Sequence, residues 1–240
     1  MSKGTFLQNF SLSIALCLAN SLVQVHGQSH ATHQRLSDTI PFIPDYGKSR
    51  LTLLNAEPVT MGRTIFVGNS ITEMGDWKTL TGDSTVLNRG ISGDITFSLL
   101  LRLPEVIRHQ PARIFLLIGI NDIGKDIPDA VIVENIMKIA GNIRSGSPST
   151  KLYIQSILPL NPDIPGFPQH YDKQGHVLNT NVLLQAACKA RGIEFLNIHD
   201  LFTDSKGKLD QQYTSDGLHL DPKGTGYQKW VAYLKSGKYL

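Results

Sequence analysis

Five residues of this chain have the side-chain types that acyl transfer requires: Ser70 in TIFVGNSIT, Gly93 in NRGISGD, Asn121 in GINDIG, and Asp216 with His219 in SDGLHL. A serine hydroxyl is a weak nucleophile near neutral pH, so a base must take its proton, and imidazole is the side chain suited to that task. A carboxylate three residues before the imidazole can aim the second ring nitrogen. Charge that develops on the attacked carbonyl oxygen needs fixed donors, and the N–H groups of Ser70 and Gly93 with the side-chain amide of Asn121 can supply three. An aspartate at 121 would offer acceptors only. Taken alone, Asp-x-x-His is a weak signal, so location must supply the specificity.

The elements that would gather these residues follow from apolar periodicity. Short apolar runs at 64–67, 86–88, 113–118, 152–157 and 194–198 predict buried strands, with helical stretches between them. The clearest helix spans about 128–144, where Val131 or Ile132, Ile136, Ile139 and Ile143 form one stripe and Pro128 suits the first turn. A last helix follows Asp221-Pro222 and would bury Tyr227, Trp230, Val231 and Leu234. Strands alternating with helices predict an α/β domain whose parallel sheet is covered on both faces.

In such a sheet, residues just after each strand meet at one rim. Ser70, Gly93 and Asn121 each follow a strand, and Asp216/His219 follows the fifth after a loop. The same rule separates two serines. Ser84, in a literal Gly82-Asp83-Ser84, precedes the second strand and reads as a turn; Ser70 is the candidate nucleophile. The Pro- and Gly-rich stretch 159–176 is expected to be irregular and to wall the pocket, which makes His170 and His176 candidate substrate contacts. Trp77 and Arg89 are candidates through sequence proximity to Ser70 and Gly93. His109 and His199 lack partners at useful spacing and read as structural. Glu73 and Asp76 could suggest paired carboxylates for glycoside hydrolysis, but nothing else supports that chemistry. Gly47-Lys48-Ser49 fails as a phosphate loop, since Phe42 stands where a glycine is needed.

With 240 residues, 41% hydrophobic and 18% charged, the chain can build one sizeable core. Its net charge of +3 comes without a long basic run, so nucleic acid is not the expected partner. Residues 1–27 carry Lys3, an apolar stretch from Phe10 to Val23 and small-residue positions before Gln28, the pattern of a signal peptide. That stretch is shorter than the ~20 residues of a membrane span, so no stable membrane anchor is expected after cleavage, and the destination is secreted or periplasmic. Leu16 argues against lipidation at Cys17. Cys188 would then stand alone, a small buried hydrophobe with no disulfide partner. The expected organisation is a signal peptide (1–27), an extended lead-in that wraps the domain (28–60) and one catalytic domain (61–240).

The blocks FVGNSITEMGDW, NRGISGD, LLIGINDIG and SDGLHLDPKGTGY resemble, in order and spacing, the four blocks of the SGNH/GDSL hydrolase superfamily, over essentially residues 62–235. The resemblance implies a three-layer α/β/α, flavodoxin-like fold with a five-stranded parallel sheet. It implies Ser70 as nucleophile, Gly93 and Asn121 as oxyanion donors, Asp216 and His219 completing a triad, and no metal or organic cofactor. With the export signal, it points to a serine esterase acting on short-chain esters, acetyl foremost, on carbohydrate. A lysophospholipase or thioesterase is the alternative within the superfamily; a carbohydrate-binding module with a retired site is the alternative outside it. One departure stands out: the family's Asp is Asn69 here. An asparagine can keep the local turn while losing a charge, so activity is expected to survive.

Overall fold

The computed structural model describes residues 45–240. The expected signal peptide and residues 28–44 of the lead-in lie outside the described residues. From residue 45 the chain begins with a helix, α1 (Asp45–Ala56), where an extended lead-in was expected. Pro44 and Pro58 bracket this helix rather than interrupt it, and Asp45 in its first turn suits the helix dipole.

Five strands follow: β1 (Thr64–Gly68), β2 (Leu87–Gly90), β3 (Arg113–Leu117), β4 (Lys151–Gln155) and β5 (Glu194–Leu196). All are parallel, in the order β2-β1-β3-β4-β5. Parallel neighbours need crossovers, and the helices between the strands provide them: α2 (Ser70–Glu73), α3 (Trp77–Thr81), α4 (Thr96–Ile107), α5 (Ile120–Gly124), α6 (Asp129–Gly146) and α7 (Gln174–Arg191), with α8 (Gly226–Ser236) closing the chain. The chain order reverses between β1 and β3, and ligands of open α/β sheets bind beyond the carboxyl ends of the strands at such a point.

Register explains how the core is filled. Phe66 pairs with Phe115, and Phe115 with Tyr153, so three aromatic rings stand in a row across β1, β3 and β4. Trp77 of α3 stacks on Phe66 with ring centroids 3.8 Å apart, and Trp230 of α8 meets the Trp77 ring edge-on at 5.0 Å. Each such pair is worth about 0.5–1.5 kcal/mol beyond simple burial. The indole N–H of Trp230 donates to Gln155 and the hydroxyl of Tyr227 donates to the Ile71 carbonyl, so the polar tips of α8 are satisfied. Over the other face, α4, α6 and α7 pack side by side. The stripe of Ile132, Ile136, Ile139 and Ile143 lies buried, as the periodicity predicts. So do Cys188, whose thiol burial pushes up to about 11, and the structural histidines His109 and His199.

The irregular stretch is shorter than the sequence suggests. It ends at Lys173, where α7 begins, and contains a short 3-10 turn over Pro168–His170. Among the described residues no helix is long and apolar enough to cross a membrane.

Candidate active site

The turn from β1 into α2 is built around Ser70. The Asn69 carbonyl oxygen of the side chain accepts the N–H of Ile71 at 3.1 Å, capping α2 and keeping the turn that an aspartate would otherwise make. Ser70 is the first helical residue, so its own N–H has no acceptor within the helix. Two glycines make room. A Cβ on Gly68 would stand 2.2 Å from the Leu117 carbonyl, and one on Gly90 would stand 2.2 Å from the backbone nitrogen of Glu73. Asn88 then ties the far end of α2 down, its amide donating to the carbonyls of Thr72, Glu73 and Gly75. The literal Gly-Asp-Ser is a turn: Gly82 is left-handed at the end of α3, and Asp83 accepts from the N–H and hydroxyl of Thr85.

Ser70, His219 and Asp216 meet across the rim. The Ser70 Oγ lies 2.9 Å from His219 Nε2, and His219 Nδ1 lies 2.7 Å from Asp216 Oδ2. The other carboxylate oxygen accepts the backbone N–H groups of Leu218 at 2.9 Å and His219 at 2.8 Å. Burial alone would raise the Asp216 carboxyl, but the bonds from the His219 N–H, its imidazole and the Leu218 N–H outweigh that and hold it below the ordinary carboxylate range. The loop is buttressed by the irregular stretch. Asn161 donates its N–H to the Gly217 carbonyl at 2.9 Å, and a Cβ on Gly166 would stand 2.6 Å from the Asp216 carbonyl.

Gly93 and Asn121 face the same cavity as Ser70 and His219. Gly93 has φ of +80°, which turns the loop after β2 in a way side chains oppose. One N–H of the Asn121 amide donates to the Asp94 carbonyl at 2.9 Å, which leaves the second for a ligand. The neighbouring Asp122 is fully buried, accepting the N–H and hydroxyl of Thr96, and burial pushes its carboxyl up to about 7. Ser70, His219, Gly93 and Asn121 thus line one concave site with Asp216 behind the imidazole, and the Ser70–His219 and His219–Asp216 contacts have the spacing that proton transfer needs. Among the described residues no three His, Cys, Asp or Glu side chains converge as metal ligands.

The cavity over Ser70 measures about 240 Å³, and an adjoining one of about 290 Å³ shares Gly93, Asn121, Gln169 and His170 with it. Another cavity, about 330 Å³, lies at the amino ends of β4 and β5 on the opposite rim and holds no part of this constellation. Of the four candidate substrate contacts, only His170 lines the site. Its Nε2 donates to the Ile120 carbonyl at 3.2 Å, and burial lowers its pKa. The other three do not reach the site. Trp77 is 1% exposed and belongs to the aromatic core. Arg89 is 2% exposed and points away, paired with Glu105 at 3.0 Å and Glu57 at 2.8 Å. His176 lies on α7 beside Asp129, because the helix begins before it. Asp76 caps α3 and Glu73 bonds to Ser92, so the two carboxylates form no hydrolytic pair. Phe167 is the contact that the sequence reading missed: its ring meets that of His219 edge-on at 5.0 Å.

The profile of the GDSL-like Lipase/Acylhydrolase family matches residues 66–227, from the core of β1 into α8. The chain belongs to this family. An arylesterase of Vibrio mimicus is 26% identical over 152 residues, covering 62% of this chain and 67% of that one. A Streptococcus pneumonia structure described provisionally as a platelet activating factor is 31% identical, with a TM-score of 0.69 over 91% of this chain and 98% of that one. A GDSL-like lipase of Bacteroides thetaiotaomicron VPI-5482 is 27% identical, with a TM-score of 0.67 over 82% and 98%. The GDSL-like acylhydrolase described here is therefore a carboxylic ester hydrolase, and its five-stranded parallel sheet is the family's fold.

Proposed function

We propose that this acylhydrolase is an exported serine esterase that removes short acyl groups, acetyl foremost, from carbohydrate. The observation that carries the reading is the continuous relay from Ser70 Oγ through His219 to Asp216, with links of 2.9 and 2.7 Å. Ser70 attacks the ester carbonyl carbon while its proton passes to His219 Nε2. The oxyanion that forms accepts from the N–H groups of Ser70 and Gly93 and from the free amide hydrogen of Asn121. As the tetrahedral intermediate collapses, the imidazolium gives its proton to the departing alkoxide. Water then attacks the acyl-enzyme with the same imidazole as base, releasing the acid and restoring Ser70.

The size of the site supports a short acyl group. The cavity over Ser70, about 240 Å³, has room for a small acyl group, and the adjoining one of about 290 Å³, which shares four lining residues with it, for the alcohol side of the ester. Lys125 and Gln169 on the adjoining cavity support a polar alcohol such as a sugar. Export rests on the charged and apolar pattern of residues 1–27.

Ser70→Ala and the parent, compared on p-nitrophenyl acetate, test the relay: loss of activity is expected, and equal rates would refute it. A series from acetyl to palmitoyl esters should peak at acetyl, whereas a long-chain optimum would favour a lysophospholipase or thioesterase. Mass analysis of the protein recovered outside the cells should give a chain beginning near Gln28; retention of the first 27 residues inside the cells would refute export.

A further inference from the structure

Glu73 takes no part in the relay, yet it stands one turn after Ser70 on α2 and both of its carboxylate oxygens are engaged. Oε2 accepts the backbone N–H and the hydroxyl of Ser92, each at 2.6 Å. Oε1 accepts the Tyr46 hydroxyl and faces Arg50 Nε at 3.1 Å in an ion pair. Tyr46 and Arg50 are four residues apart on α1 and so project from one side of it. The Glu73 side chain is 14% exposed; its bonds to Ser92 are part-buried, while Tyr46 and Arg50 reach it from the solvent side.

Ser92 immediately precedes Gly93. On the other side of Gly93, the Asp94 carbonyl accepts the Asn121 amide and the Asp94 N–H closes on the Ile91 carbonyl at 3.1 Å. The Gly93 N–H is therefore suspended between two fixed points, one set by Glu73 and one by Asn121. Bonds to an ionised carboxylate are about twice as strong as neutral ones, so the Glu73 anchor is stiff.

We propose that Glu73 is a positioning residue for the oxyanion site. It ties the loop that carries the Gly93 donor to the helix that carries the nucleophile, and through Tyr46 and Arg50 it makes α1 a brace for both. Nucleophile and donor then keep their separation even if the sheet edge at β2 moves. The inference rests on the serine-esterase reading above.

Glu73→Ala, Glu73→Gln and Ser92→Ala, measured beside the parent and Ser70→Ala, test it through kcat, KM, Tm and affinity for a trifluoromethyl ketone that forms a tetrahedral adduct. Glu73→Ala is expected to lower kcat ~10- to 100-fold, short of the ~100- to 1000-fold of losing a donor outright. KM should barely move, and adduct affinity should fall in step with kcat. Glu73→Gln keeps an acceptor oxygen and should recover much of the loss; Ser92→Ala, which keeps the N–H bond, should lose less than Glu73→Ala. Should Glu73→Ala fail to fold, the other two variants carry the test. Unchanged kcat and adduct affinity in the folded variants, or an effect confined to KM or Tm, would overturn the inference while an inactive Ser70→Ala left the relay standing. An active Ser70→Ala would overturn the serine reading and this inference with it.

Discussion

Asp216→Asn separates the two tasks of one carboxylate. In the native protein Oδ1 accepts two backbone N–H groups, from Leu218 and His219, while Oδ2 accepts the imidazole Nδ1. An asparagine must keep its oxygen toward the two backbone donors, because the flipped amide would set an NH₂ against them. Its NH₂ then takes the place of Oδ2 and donates to Nδ1, which forces the ring proton onto Nε2. That nitrogen faces the Ser70 hydroxyl at 2.9 Å and can no longer accept its proton. By analogy with the same change in a serine protease, kcat should fall ~10⁴-fold, equivalent to about 5 kcal/mol of barrier. The fold should hardly notice, since both backbone bonds persist. Asp216→Ala loses them as well and should cost about 1–3 kcal/mol of stability at a net ~0.5–1.5 kcal/mol each. Initial rates on p-nitrophenyl acetate with parallel thermal melts give both numbers. An Asn variant within tenfold of the parent in kcat would refute the argument that this carboxylate sets the tautomer.

Asn121→Asp replaces a donor with acceptors beside the Asp94 carbonyl, and steady-state kinetics should show kcat reduced by at least ~100-fold. Arg89→Met leaves Glu105 as a buried charge without its nearest partner; denaturant melts should show a loss of about 3–5 kcal/mol with KM unchanged, whereas a raised KM would return Arg89 to the substrate site. Because burial raises Asp122 to about 7, the native state holds this proton more tightly than the unfolded chain does. Its contribution is therefore fully present below the unfolded value near 4 and is lost as pH rises toward 7, a change of at most about 4 kcal/mol. Asp122→Asn should flatten Tm against pH across that window; an unchanged slope would assign the pH dependence to other groups.

The sheet and the meeting of Ser70, His219 and Asp216 at one rim were legible because both depend on local rules. Buried parallel strands are apolar runs, and residues after them share a rim, so Ser70 could be told from Ser84 without coordinates. What lay hidden depends on partners distant in sequence. Trp77 is seven residues from Ser70, but its fate is decided by the flat face of Phe66. Arg89 follows the polar Asn88 near Gly93, yet Glu57 and Glu105 draw it away from the rim. His176 was misplaced because α7 starts without a side-chain cap, so nothing marked its first residue. The helix over 45–56 buries only Gly47 and Leu54, which leaves almost no apolar period to detect. Phe167 carried no signal beyond being an aromatic in a Pro-rich loop.

Asn161 and Gly166 give the loop after β4 two duties at once. The segment that walls the pocket also shores up the backbone around Asp216, so substrate range cannot be redrawn freely by exchanging it. A transplanted loop that accepts a bulkier substrate but sets a proline at 161, which removes that backbone N–H, or brings a side chain to position 166, would disturb the backbone around Asp216. Diversification of this enzyme has room at 162–165 and 168–169, and little at Gly166 or at Phe167, whose ring packs against His219.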